Sequence, residues 1–207
     1  MDLIKIQNLL SKLYTNKKFR DNFFSNYESF LEDYSLNKED AKEIILKKEE
    51  IIFFAKSLII KRREEVRKII PLTSIYIKNT FNELFSSFSE IFTPNGIKKH
   101  LEDSYNFLIF LEKNLNNDLL LKNIIKYEKN FLINILSPKN NIIYFHYCIT
   151  DIKKILSLDN LEEKNKFIKR LKYKPAIFIN LKYKNSWFGI YINIFNRIFE
   201  IKNMYVA

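Results

Sequence analysis

The chain has 207 residues, with 35 Lys and Arg against 24 Asp and Glu for a net charge of +11, and it is 47% hydrophobic and 15% aromatic. That much apolar surface supplies a core and excludes intrinsic disorder, while only 2 Gly and 4 Pro exclude collagen-like and Gly-rich linker classes and disfavour a turn-dense β-sandwich. The single cysteine, Cys148, excludes an internal disulfide and a thiolate cluster, which fits a reducing, cytoplasmic setting.

The first nineteen residues, MDLIKIQNLLSKLYTNKKF, carry charges throughout and read as the start of an amphipathic helix rather than a signal peptide. Leu3, Ile6, Leu9, Leu10 and Leu13 fall at helical spacing, Phe19, Phe23 and Phe24 continue it after Asn16, and a third short helix is expected around 28–34. Asn37 followed by Glu39 and Asp40 is a helix start, with a capping side chain and acids suited to the dipole. One long helix is expected from there, over 38–69, ended by Pro71. Its run IIFFAKSLII, residues 51–60, is the most apolar in the chain, but it is ten residues long against the roughly 20 that span a bilayer, so no transmembrane segment is predicted.

A helix is expected over 73–91, a turn at Thr93-Pro94-Asn95-Gly96, and two more helices over 97–114 and 118–136. Character changes after Ser137-Pro138. The stretch 142–149 is β-branched and aromatic and reads as a strand, Thr150 and Asp151 can start a short helix to Leu156, and 175–183 with 187–194 read as a hairpin. A last helix or strand is expected over 195–202. The fold class is therefore α+β and predominantly α-helical: a helical bundle over 1–136, then a small α+β domain over 137–207 with a three-stranded sheet and a basic β-hairpin.

No catalytic signature emerges, and no residue is assigned as catalytic or metal-ligating. His100 and Asp103 sit one turn apart on a helix, yet two ligands are too few for a metal. His146 and Cys148 would share a face of a strand, but the surroundings are apolar, where a thiol stays protonated and inert. The acid pairs Glu49/Glu50, Glu64/Glu65 and Glu162/Glu163 point about 100° apart on a helix and read as solvated faces. The chain's glycines, Gly96 and Gly189, make no phosphate-binding loop.

Charge is placed unevenly. Because Lys outnumbers Arg 29 to 6, and Lys lacks the bidentate fork of Arg, clustering says more than total charge. Lys61-Arg62-Arg63 with Arg67 and Lys68, interrupted by Glu64 and Glu65, close the long helix, where cations favour the dipole or meet an acidic partner or the neighbouring domain. From 164 to 184 there are eight basic residues and no acid. An exposed strand edge there could add a peptide strand, with Lys selecting an acidic sequence. It could also track nucleic-acid phosphates, with Tyr173, Tyr183 and Trp187 stacking on bases, or be an edge that lysines protect from aggregation.

The segments Leu13-Tyr14-Thr15-Asn16, Phe19-Arg20, Phe23-Phe24, Tyr34-Ser35-Leu36, Phe54-Ala55-Lys56-Ser57-Leu58, Lys61-Arg62, Val66, Pro71-Leu72-Thr73, Phe81 and Leu84-Phe85, taken in order, resemble bacterial partner proteins encoded beside multinuclear-iron, TIM-barrel peptide-modifying oxygenases, the methanobactin-biosynthesis partner family. An aromatic strand leading to Asp151 and then a basic hairpin is similar too. The resemblance implies a non-catalytic accessory subunit, forming a heterodimer with an iron-dependent oxidase and binding the leader of a ribosomally made precursor peptide whose cysteines are modified in natural-product biosynthesis. It implies no cofactor in this chain and iron in the partner subunit. Charge and edge geometry then make Lys172, Tyr173, Lys174, Ile177, Ile179, Lys182, Tyr183 and Trp187 the expected peptide-binding residues, and Lys61, Arg62 and Arg67 the expected partner interface. A basic nucleic-acid-binding protein is the alternative; no membrane partner is expected.

Overall fold

A computed structural model describes residues 3–95, 98–115, 118–136, 142–146, 149–172, 174–183, 186–193 and 198–204. The elements run α1 (Leu3–Thr15), α2 (Lys17–Ser25), a 3-10 turn (Tyr27–Phe30), α3 (Lys38–Leu46), α4 (Lys48–Ile69), α5 (Pro71–Tyr76), α6 (Phe81–Ile91), α7 (Lys99–Asn114), α8 (Leu119–Leu136), β1 (Ile142–His146), α9 (Ile149–Leu156), α10 (Leu161–Arg170), β2 (Lys174–Tyr183), β3 (Ser186–Asn193) and β4 (Ile198–Met204). The protein is predominantly helical, as its composition requires. The chain forms two compact units: Met1–Glu65 with Asn82–Asn95, and Val66–Phe81 with Gly96–Ala207. Within the second unit α8 packs against α5, α7 and β3.

In the first unit, Leu9, Leu13, Phe23, Tyr34, Leu36 and Ile51 form a buried cluster, with Phe19, Phe24 and Phe30 packed against it. The Phe19 and Phe30 rings meet edge-on at 5.3 Å, the arrangement that aligns a positive ring edge with a negative face. Local sequence sets the helix ends. Asn16 Oδ1 accepts from the Phe19 N–H at 2.9 Å and Asn37 Oδ1 from the Asp40 N–H at 2.7 Å, each satisfying an amide that the first turn leaves without a partner. The helix expected over 38–69 is two helices. Lys47 takes φ −90° and ψ 16°, off the helical values, and separates α3 from α4.

The second unit is built on α8, which buries Ile124, Ile125, Tyr127, Phe131 and Leu132. The helix expected over 73–91 is also two, α5 and α6, separated at 77–80. Pro71 sits at the first position of α5, where its missing N–H costs nothing, but Ile70 before it has no side chain that can cap. Glu128 of α8 supplies the cap: its two carboxylate oxygens accept from the Leu72 N–H at 2.8 Å and the Thr73 N–H at 3.1 Å. Glu128 is 3% exposed, so a charge is buried where two amides and a helix N-terminus compensate it.

Among the described residues the sheet has four antiparallel strands in the order β1-β2-β3-β4, which corrects the expected three. The segment left open between helix and strand is β4, paired with β3 from Ile198 opposite Asn193 to Met204 opposite Trp187. Beyond reading Glu162 and Glu163 on a helix, the sequence assigns 161–170 no element. This half of the basic stretch is the helix α10, capped by Asn160 Oδ1 on the Glu162 N–H at 2.8 Å, with Glu162 and Glu163 in its first turn and Lys169 and Arg170 in its last.

Candidate peptide-binding surface

The hairpin of β2 and β3 lies at the centre of the sheet, so the strands expected to present an edge are the two inner ones. β1 covers β2 from Lys174, opposite His146, to Phe178, opposite Ile142, and β3 covers the other side of β2 from Ala176 to Tyr183. Among the described residues the outer edges belong to β1 and β4, each hydrogen-bonded on one side. Main-chain groups on an outer edge are the natural template for an added strand.

The pleat sorts the expected peptide-binding residues. Ile177 and Ile179 are half-buried and lie opposite Ile192 and Ile190, also half-buried, making a continuous apolar patch across the hairpin. Lys174, half-buried, falls on the opposite pleat from Ile177. Asn193, opposite Ala176, is fully buried. Lys172 is exposed just before β2. Lys182 is in register with Trp187, and Tyr183 with Ser186, so both ends of β2 carry a basic position. Tyr173 lies outside the described residues. The eight-cation reading of 164–184 is reduced in one respect: Lys166 pairs with Glu162 at 2.7 Å on α10.

Of the residues expected at a partner interface, Lys61 is exposed. Arg62 and Arg67 are engaged at home. The Arg62 Nη2 donates to the Phe92 carbonyl at 3.0 Å, and the Arg67 guanidinium lies over the Phe81 ring, 4.8 Å from its centroid.

The structure separates His100 from Asp103: the first is exposed, and the second is completely buried. Cys148 lies outside the described residues, and His146 ends β1. Among the described residues no three His, Cys, Asp or Glu side chains converge as a metal group would need, and no helix is long and apolar enough to cross a membrane.

One titratable group stands apart. Burial, and then the hydrogen bond from its hydroxyl to Asp118 Oδ2 at 2.5 Å, hold the Tyr76 phenol well above its ordinary value. Asp118 Oδ1 also accepts from the Leu120 and Leu121 N–H groups, both at 3.0 Å, so one carboxylate starts α8 and fastens the end of α5. The folded state therefore favours the protonated phenol. Its contribution is fully present below about pH 10, the usual tyrosine range, and is lost as pH rises through the higher folded value. Tyr76→Phe is expected to flatten the fall in stability above about pH 10, measured as urea midpoints across an alkaline series.

No protein-family model matches the chain, and no curated protein matches its sequence.

Proposed function

We propose that this chain is a non-catalytic partner subunit in ribosomal peptide modification: it binds the leader of a precursor peptide by strand addition and presents the cysteine-containing core to an iron-dependent TIM-barrel oxidase in the cytoplasm. The observation that carries the reading is the antiparallel sheet with its short outer strand β1, next to a β2 that has basic positions at Lys174 and Lys182 and is preceded by Lys172. A leader strand laid along β1 gains main-chain hydrogen bonds, which give affinity without demanding a fixed sequence. The lysines then select acidic side chains flanking that strand. The resemblance supplies the partner class and puts iron in the other subunit, and the helical remainder acts as the platform.

The test is a titration of labelled leader peptide, taken from a precursor encoded beside the chain, into wild type and a Lys172→Glu/Lys182→Glu variant. Two rim charges reversed are expected to weaken binding about tenfold. Wild-type affinity should fall by less than about tenfold between 50 and 200 mM salt, because main-chain bonds and apolar contacts survive screening. An unchanged affinity in the variant contradicts the assignment. Tight binding of a single-stranded oligonucleotide that collapses by about a thousandfold over the same salt range favours the nucleic-acid reading instead.

A further inference from the structure

The first unit carries an apolar groove of about 800 Å³ between α1, α3 and the start of α4. Ile6, Leu10 and Tyr14, one face of α1 at successive i, i+4 positions, form one wall. Phe53 and Phe54 stand at the other, and the Tyr14 and Phe54 rings meet edge-on at 4.6 Å. Phe53 is 76% exposed, a large apolar side chain that none of the described residues of this unit covers.

The rim is acidic. Asp40, Glu43, Glu49 and Glu50 line it against a single cation, Lys47, in a chain whose net charge is +11. None of these four carboxylates takes part in a salt bridge among the described residues. A floor of aromatic and aliphatic carbon inside a ring of uncompensated acids is complementary to a ligand with the reverse pattern: apolar on one face and Lys or Arg on its flanks. The lining elements are all helices, whose main-chain groups are satisfied internally, so no edge exists for strand addition. A helix satisfies its own backbone and presents anchors at i, i+3, i+4 and i+7. The wall from Ile6 to Tyr14, about 12 Å long at helical rise, accepts two to three turns of it.

We infer that this groove docks a cationic amphipathic helix of a partner protein. The inference is independent of the sheet reading, because it concerns the other unit and a different mode of recognition.

The experiment uses the full chain and a fluorescein-labelled synthetic peptide of about 18 residues, with Leu and Phe at i, i+3, i+4 and i+7 and Lys elsewhere. Saturable binding is expected, weakened at least about tenfold by Phe53→Asp and by Glu49→Lys/Glu50→Lys. Both changes are at exposed positions, and unchanged circular dichroism verifies the fold. A peptide of the same composition with its apolar positions scrambled should bind at least about tenfold more weakly. Equal binding by the scrambled peptide, equal binding by a Glu-for-Lys peptide, or insensitivity to Phe53→Asp overturns the inference. Self-association of the wild type that Phe53→Asp abolishes also overturns it, since a second copy of the chain is then the occupant.

Discussion

Replacing Glu128 by Ala is expected to lower stability by about 3 kcal/mol. Two buried amides, those of Leu72 and Thr73, lose a charged acceptor at a side chain that is 3% exposed and so shielded from bulk water. For a chain of this size that corresponds to a fall of about 6–12 °C in the thermal midpoint. Glu128→Gln keeps one acceptor oxygen but turns an amide donor toward the second N–H, so it is expected to recover only part of the loss. A variant with an unchanged midpoint would show that α5 does not depend on this cap. The dependence is physical rather than statistical: α5 starts after Ile70, a residue that cannot cap, and its acceptor comes from a helix more than fifty residues further along the chain.

Phe81→Ala is expected to cost about 4 kcal/mol, the middle of the range for a buried aromatic. Phe81 is fully buried, meets Phe107 edge-on at 5.3 Å, and carries the Arg67 guanidinium over its face at 4.8 Å. Truncation leaves a cavity and strips a half-buried cation of its ring. Phe81→Leu restores most of the volume but not the ring face, so the difference between the two variants isolates the aromatic contribution. Urea unfolding with an unchanged slope measures it, and a loss below about 1 kcal/mol for the alanine variant contradicts this account of the core.

The fold was legible where hydrophobic period and capping residues agree. Asn37 with Glu39 and Asp40 marks the start of α3, and the β-branched, aromatic runs either side of Lys184-Asn185 give the β2–β3 hairpin. The breaks at Lys47 and at 77–80 escaped because neither contains Gly or Pro, so the apolar period runs on through them while the backbone does not. α10 escaped for a different reason. Glu162 and Glu163 read as the face of a helix, but taking 164–184 as one block of charge hid that Lys169 and Arg170 close the helix that Asn160 caps.

The candidate surface was less legible than the fold. Local pattern says that 174–183 is a strand and that 186–193 pairs with it, but not that β1, nearly thirty residues earlier, covers its other side from Lys174 to Phe178. The apolar run 51–60 reads as too short for a bilayer, but not as what its two phenylalanines line, a groove whose other wall comes from α1. Glu128 offered one signal, the one acid in α8, set between Tyr127 and Phe131, but its targets could be named only once α5 and α8 were packed together.

The central claim is that this chain works as the peptide-binding half of a heterodimer. Its most direct test is co-expression with the proteins encoded beside it, followed by size exclusion and metal analysis of whatever co-purifies. The account predicts one species holding this chain and an iron-containing barrel subunit in equal amounts, able to retain the precursor peptide. A monomer that elutes without such a subunit and carries nucleic acid would contradict it.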